Sequence, residues 1–396
     1  MSFQNPVFIP GPTNMPEALR KACDMPTIDH RSPLFASILH PARAGVRRVM
    51  KTTSAEIFIF PSTGTGGWET ALTNTLSEGD RVLAARNGMF STRWIDMCQR
   101  HRLDVQVVEA PWGEGLPADR FGEILAADKG HKIKVVLATH NETATGVRSD
   151  IAAVRKALDD AGHPAMLFVD GVSSIGSMDF RFDDWGVDVA VTGSQKGFML
   201  PAGLAIVGFS EKAMAATKTG TLPRTFFDVH DMAKGYANNA YPYTPAVGLM
   251  NGLNMACGML LDEGLENVFR RHHRIAEGVR AAVGAWGLRL CAASPDVYSN
   301  TVSAICTPKG FDATRIVTHA ADVYGVAFGV GLGDVAGKVF RIGHLGSLTD
   351  VMTLSGIATA EMCMADLGLD ITLGSGVAAA QDYYRHHPAT VQRAAA

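Results

Sequence analysis

Neither sign of charge is in excess in this sequence. A formal net charge of −3 over 396 residues, with 19% of them charged, leaves no compositional basis for holding nucleic acid or an anionic membrane. Long apolar runs are also missing, so no segment reads as a membrane span. Cysteine is sparse: six residues, at 23, 98, 257, 291, 306 and 363, form no CxxC pair, so neither a disulfide framework nor a cysteine-based metal site is expected. Met1-Ser-Phe-Gln-Asn-Pro6 has no cationic-then-apolar leader, and Gln392-Arg-Ala-Ala-Ala396 is not a peroxisomal address. These absences predict a cytoplasmic protein with reduced thiols. No internal repeat is present, and the only low-complexity tract is the alanine-rich tail. Small-molecule chemistry remains, in a chain long enough for a large core and more than one domain.

What is present is alternation. Short β-branched runs at Ile57–Phe60, Arg81–Ala85, Val105–Val108, Lys134–Ala138, Met166–Val169, Val187–Val191 and Leu204–Phe209 read as buried strands. Between many of them lie segments of helical spacing with helix-start residues: Gly67–Leu76, Ser91–His101, Asp119–Ala127 and Asp150–Ala161. The pattern predicts an α/β protein with a mostly parallel seven-stranded sheet flanked by helices, and ligands in such sheets sit at the carboxyl ends of the strands. After Ser210 a polar and aromatic linking region runs to Thr244. Helical patterns follow at Ala246–Leu261 and Gly264–Trp286. The remainder, with strands at Thr301–Cys306 and Lys338–Ile342 and helices at Asp312–Tyr324 and Thr349–Met364, reads as a smaller α/β domain. The expected division is an N-terminal arm (1–20), a large domain (21–262) and a small domain (263–396).

Three features carry chemistry. In Val191-Thr-Gly-Ser-Gln-Lys-Gly-Phe198 a single lysine sits among small and apolar residues, where an ammonium is costly unless it is paired, neutralised or used covalently. Asp170 ends the apolar run Met166-Leu-Phe-Val-Asp170, which places a carboxylate at the functional edge of the sheet. On the residues alone it caps a turn as readily as it serves a ligand. Phe60-Pro-Ser-Thr-Gly-Thr-Gly-Gly-Trp-Glu-Thr-Ala71 is strand, glycine-rich loop and helix start, a geometry that offers backbone N–H groups to an anion. A plain turn fits this loop about as well. The dinucleotide fingerprint is absent, because Glu69 stands where its last glycine would be, and so is a Walker lysine.

Together these motifs resemble the pyridoxal phosphate site of fold type I enzymes, and in particular the class V aminotransferases. The resemblance covers nearly the whole chain. Its marks are Gly193-Ser-Gln-Lys-Gly197, Val169-Asp-Gly-Val-Ser-Ser174, Ala138-Thr-His-Asn-Glu-Thr-Ala-Thr-Gly146, Pro10-Gly-Pro-Thr-Asn14 and Val339-Phe-Arg-Ile-Gly-His-Leu-Gly346. Within the family it is similar to the glyoxylate-using branch that takes serine or aspartate as amino donor.

The resemblance implies that Lys196 binds pyridoxal 5′-phosphate covalently and then moves the Cα proton, and that Asp170 keeps the pyridine nitrogen protonated. Thr65, Gly66, Gly67 and Gln195 would hold the phosphate, Thr143 would lie beside the ring oxygen and Phe90 would stack on the ring. Arg341 would grip the substrate carboxylate. Arg31 is a candidate for the donor side chain, against the plainer reading of a solvated arginine. Tyr241 and Thr244 match a segment that a neighbouring subunit sends to the phosphate, which implies a homodimer with composite sites. The expected reaction is ping-pong: aspartate or serine gives its amino group and leaves as oxaloacetate or hydroxypyruvate, and glyoxylate leaves as glycine.

Alanine:glyoxylate amino transfer, a lyase or a desulfurase would keep the same lysine and aspartate. A desulfurase needs a mobile reactive cysteine, and Cys306 falls in a strand read as buried. A non-enzymatic relative would be expected to lose Lys196, Asp170 or Arg341. No metal is expected: His272-His273 reads as a solvated helix face and no HExxH occurs. Asp183-Asp184 reads as a cap, and His140 and His344 divide evenly between structural and site roles.

Overall fold

The computed structural model describes residues 5–389. The readings of the first residues as lacking a leader and of the alanine-rich tail fall largely outside that range. Fourteen strands follow in chain order: β1 (Val7–Phe8), β2 (Glu56–Ser62), β3 (Arg81–Arg86), β4 (Asp104–Glu109), β5 (Ile133–Thr139), β6 (Asn141–Glu142), β7 (Val147–Arg148), β8 (Met166–Asp170), β9 (Val189–Gly193), β10 (Gly203–Phe209), β11 (Arg289–Leu290), β12 (Val302–Cys306), β13 (Ala327–Val330) and β14 (Val339–Gly343).

Seven of these form one sheet in the order β2-β10-β9-β8-β5-β3-β4. Only β10 runs against its neighbours; it is antiparallel to both β2 and β9. Every residue of β8 and β9 is buried, as expected of strands covered by helices on both faces. The covering helices begin where the sequence supplies a cap. Asp150 accepts from the Ala153 N–H at 3.0 Å to start Ile151–Asp160, and Ser210 accepts from the Ala213 N–H at 3.1 Å to start Glu211–Ala216.

A second sheet, β1-β13-β14-β12-β11, packs on the helices Leu265–Ala285, Thr314–Tyr324, Asp350–Asp366 and Ser375–His386 around Phe340, Ile342, Ile357 and Val279. The first core runs from Leu19 to Val268. The arm joins the second: Val7 and Phe8 pair in parallel with Ala327 and Phe328, and Phe8 is buried there.

The linking region is more ordered than its composition suggests, because Asp228 caps a helix at Val229–Ala237 with bonds to the His230 and Asp231 N–H groups. The helix Pro33–Val49 went unread in the sequence, where Pro41 interrupts its pattern. Among the described residues no helix is long and apolar enough to cross a membrane.

That helix lies against Val247–Glu263 at a glycine contact. A methyl group on Gly45 would stand 2.5 Å from Cys257 Cβ. Alanine is worth about 1 kcal/mol over glycine in an exposed helix interior; here overpacking of about 1–3 kcal/mol reverses the sign. Gly45→Ala is expected to lower the urea midpoint, and an unchanged or raised midpoint would contradict the packing described.

Candidate active site

Five chain segments leave the carboxyl ends of β2, β3, β5, β8 and β9 at one edge of the large sheet. They carry the glycine loop, Phe90, Thr143, Asp170 and Lys196 respectively. Ser194 pins the turn after β9: its hydroxyl donates to the Pro201 carbonyl at 2.7 Å and accepts from the Leu204 N–H at 3.1 Å. Lys196 then points at the arm, where its amine donates to the Pro10 carbonyl. Gly11 is backbone at closest approach, with φ of +117° and room for no side chain, since a methyl group there would fall 2.6 Å from Lys196 Nζ. The Thr13 N–H donates to the Gln195 carbonyl at 3.2 Å and fixes the arm from the other side. Although Lys196 as a residue keeps some surface, its amine end is enclosed. Burial, with Arg341 adding to it and Asp170 opposing, lowers the amine to about 8.

Asp170 is buried at the end of β8 and accepts the Val172 N–H at 2.9 Å. Burial raises its carboxyl to about 7 against that hydrogen bond, and the charge of Glu142 pushes the same way. Among the described residues no cation forms a salt bridge with this carboxyl, the Lys196 charge only opposing the rise from a distance, and a protonated ring nitrogen would supply a direct partner. The glycine loop suits the other end of such a group. Thr63 precedes the helix Gly64–Thr75 with extended backbone and no side-chain cap, so the first N–H groups point outward. Methyl groups on Gly64, Gly66 and Gly67 would fall 2.5 Å from Val172 Cγ2, 2.1 Å from Ser62 Oγ and 2.5 Å from Val191 Cγ1. The helix start can sit this close to the sheet only with glycine there. Thr65 is exposed at its tip, and the side-chain oxygen of Gln195 is buried without a partner among the described residues. A buried lysine, a cation-seeking carboxyl and an uncapped helix start in one crevice fit pyridoxal phosphate.

The sequence reading missed Glu142. It is fully buried in β6, and its carboxylate accepts the N–H groups of Phe90 (2.9 Å), Ser91 (3.2 Å) and Ala144 (3.0 Å). It therefore ties the start of the helix Met89–Arg100, where Phe90 sits half-buried with Arg93 over its ring at 5.4 Å, to the turn that carries Thr143. Gly88 makes room for it, since a methyl group there would lie 2.2 Å from Glu142 Cγ. Burial raises the carboxyl, while its hydrogen bonds and Arg341 oppose the rise. Arg341 reaches the same turn from β14: Nη1 donates to the Thr143 carbonyl at 2.9 Å and Nε to the Val330 carbonyl at 2.8 Å. Burial lowers the guanidinium to about 10, with Glu142 opposing, so it remains cationic at neutral pH. Among the described residues its Nη2 makes no hydrogen bond, which leaves that edge to a carboxylate.

The chain alone does not bring the remaining candidates to this crevice. Arg31 is exposed, with its backbone N–H on Asp29. Tyr241 is buried in its own chain's core, its hydroxyl donating to the Ile59 carbonyl and its ring packed edge-on against Phe35. Thr244 is exposed. His272 is a correction: it is not solvated but buried, with Nδ1 2.8 Å from the Val268 carbonyl and Nε2 accepting the Gly346 N–H at 3.0 Å. Burial holds it neutral. His140 lies among Phe180 and Trp185 with Ser174 on Nδ1 at 2.9 Å, and His344 sits between Ser303 and Asn300. Burial lowers each to about 3, which fits structural histidines. Asp183 is a cap, accepting from Thr52 and Thr53.

Two measurements test this geometry. Because the Lys196 amine loses its proton near 8, capture of the cofactor aldehyde by cofactor-free protein should quicken with pH up to about 8 and level off above it. A profile still climbing at pH 10 would mean that burial does not depress the amine. Glu142→Gln retains the shape but replaces one accepting oxygen with a donor. With hydrogen bonds to a charged group worth about 1.5–3 kcal/mol, kcat/KM should fall about ten-fold or more while the fold is retained. Wild-type kinetics would remove Glu142 from the site's support.

Comparison with known proteins gives the same picture. The family model described as aminotransferase class-V matches residues 22–333. An L-aspartate--glyoxylate aminotransferase of Paracoccus denitrificans is 75% identical over 396 residues, the full length of both chains. A serine--glyoxylate aminotransferase of Hyphomicrobium methylovorum is 53% identical over 96% of this chain and 94% of its own. The crystal structure of a pyridoxamine-pyruvate aminotransferase from Mesorhizobium loti superposes with a TM-score of 0.90 at 28% identity, covering 97% of this chain and 98% of that one. The fold is thus the fold type I architecture expected from the motifs, and the chain belongs to the class V aminotransferases, which depend on pyridoxal 5′-phosphate.

Proposed function

We propose that this enzyme transfers the amino group of L-aspartate or L-serine to glyoxylate, releasing oxaloacetate or hydroxypyruvate and then glycine. The observation that carries the reading is the convergence of Lys196, Asp170 and Arg341 on one crevice, in a chain that is 75% identical to a protein named for the aspartate and glyoxylate reaction. The 53% identity to a serine--glyoxylate aminotransferase supports the second donor.

The residues divide the work. The N–H groups of Thr65, Gly66 and Gly67, with Gln195, would hold the phosphate, Asp170 would pair with the ring nitrogen and Thr143 would serve the ring oxygen. Phe90 would cover one ring face. When bound, pyridoxal phosphate supplies an electron-withdrawing ring that stabilises negative charge at the substrate Cα. Lys196 would supply the base that takes the Cα proton and the acid that gives it back. Arg341 grips the α-carboxylate of donor and acceptor in turn, so one site serves both halves of a ping-pong cycle. The Pro10–Asn14 arm crosses the crevice beside Lys196 and favours a small acceptor such as glyoxylate.

The domain division at residues 20 and 262 belongs to this reading, as does a cytoplasmic location. So does a homodimer in which Thr244 of one chain approaches the phosphate of the other. A phosphate contact by Tyr241 would require its hydroxyl to leave the Ile59 carbonyl. Arg31 is exposed and would meet an aspartate side chain only across such an interface.

The deciding experiment is an absorption titration of the holoenzyme with aspartate, serine and alanine separately, each followed by glyoxylate. Bleaching of the visible cofactor band by aspartate and by serine, restored by glyoxylate with release of glycine, is the expected result. Turnover with only one of the two would overturn the dual donor. Recovery with other oxo acids but not glyoxylate would overturn the acceptor.

A further inference from the structure

A cavity of about 1360 Å³ opens away from the candidate active site, against the face of the small sheet that also carries Arg341. Trp112, Arg289, Cys291, Cys306, Lys338 and Val339 are among the residues that line it. The strand register explains why two cysteines meet there. Cys306, the last residue of β12, stands opposite Arg289 in β11 and Val339 in β14. Cys291 follows β11 directly and donates its N–H to the Ala304 carbonyl at 2.8 Å. Alternate residues share a face, so Cys291 and Cys306 are diagonal neighbours on the same side. Both pack against the same small cluster of Ala304, Val335 and Val339, and both residues are only half-buried. Cys306 is therefore less enclosed than its strand pattern suggested. The large domain closes the cavity: Gly113, next to Trp112, accepts the Ala293 N–H at 2.9 Å.

We propose that Cys291 and Cys306 form a modification site, a dithiol that hydroperoxides entering this cavity convert to a reversible disulfide in the folded enzyme. Cys306 sulfur attacks the peroxide, so an S–O bond forms, the O–O bond breaks and one oxygen leaves as alcohol or water. Cys291 sulfur then attacks Cys306 sulfur, so the S–S bond forms and the S–O bond breaks, and hydroxide leaves as water with the second thiol proton. The two thiols are oxidised and one hydroperoxide is reduced. Cys306 is the attacking sulfur because the neighbouring Cys291 and the charge of Arg289, its cross-strand partner, hold its thiol below the ordinary range.

Diagonal pairs lie farther apart than direct cross-strand pairs, so closing the bond needs a small backbone shift. Both cysteines sit at strand ends, where the ladder can give. A disulfide closed this way is strained and readily reduced.

The test treats holoenzyme with stoichiometric hydrogen peroxide, alkylates the remaining thiols under denaturing conditions and maps peptides without reduction. The expected result is a fall from six alkylatable cysteines to four, with Cys291 and Cys306 recovered as one linked peptide that dithiothreitol separates. In Cys291→Ser, Cys306 should instead stop as a sulfenic acid trapped by dimedone. Alkylation of both cysteines while other thiols oxidise would overturn the proposal. So would oxidation of wild-type Cys306 to sulfinic acid without the linked peptide.

Discussion

The burial of four ionisable groups in one crevice is the constraint on which the rest of this structure depends. Lys196, Asp170, Glu142 and Arg341 are all moved from their ordinary pKa values with burial as the largest cause. Each would be expensive to enclose alone. Together they form an alternating set in which Arg341 stabilises Glu142, and Lys196 stabilises Asp170. The glycines follow from this. Gly11 yields its side-chain space to Lys196 and Gly88 yields its own to Glu142, so backbone comes to the charged groups in place of water.

The N-terminal arm closes that crevice and joins the two cores. Phe8 is buried in the second core, and two residues later the Pro10 carbonyl takes the amine of Lys196, whose loop follows β9 of the large sheet. Asn14 stiffens the span between by exchanging bonds with the Val7 N–H (2.9 Å) and carbonyl (2.8 Å). Gly343 lets the arm lie on β14, since a methyl group there would meet the Ile9 carbonyl oxygen at 2.3 Å. The strand that bears Arg341 and the loop that bears Lys196 are thus registered through a short piece of backbone. Neither core alone contains the whole crevice.

Much of this was legible in the sequence. The seven strands of the large sheet and the helices at its edge have strong period and clear caps, such as Asp150. Lys196 could be found because a charge stood among small residues, and the same argument applied to Asn141-Glu-Thr-Ala-Thr145 would have found Glu142. What was not legible depends on tertiary partners. The helix with Pro41 is held by packing against Val247–Glu263, not by propensity. His272 looked solvated beside two arginines and another histidine, yet the Gly346 N–H, 74 residues away, is what buries it. Tyr241 matched a motif for intersubunit contact, while its hydroxyl found a carbonyl in its own chain.

On the proposed reading, the positions of these charges also bear on how one lysine would serve both as nucleophile and as proton carrier. Arg341 is one of the causes that depress the Lys196 amine, so with no substrate carboxylate bound its field favours the neutral, nucleophilic form. A carboxylate settling on Arg341 cancels much of that field. The proton affinity of the amine then rises just as a substrate Cα comes within reach, which is the change wanted in a group about to accept a proton. Departure of the product carboxylate restores the field and favours release of the proton. On that reading, substrate binding at one end of the crevice would set the basicity at the other through charge.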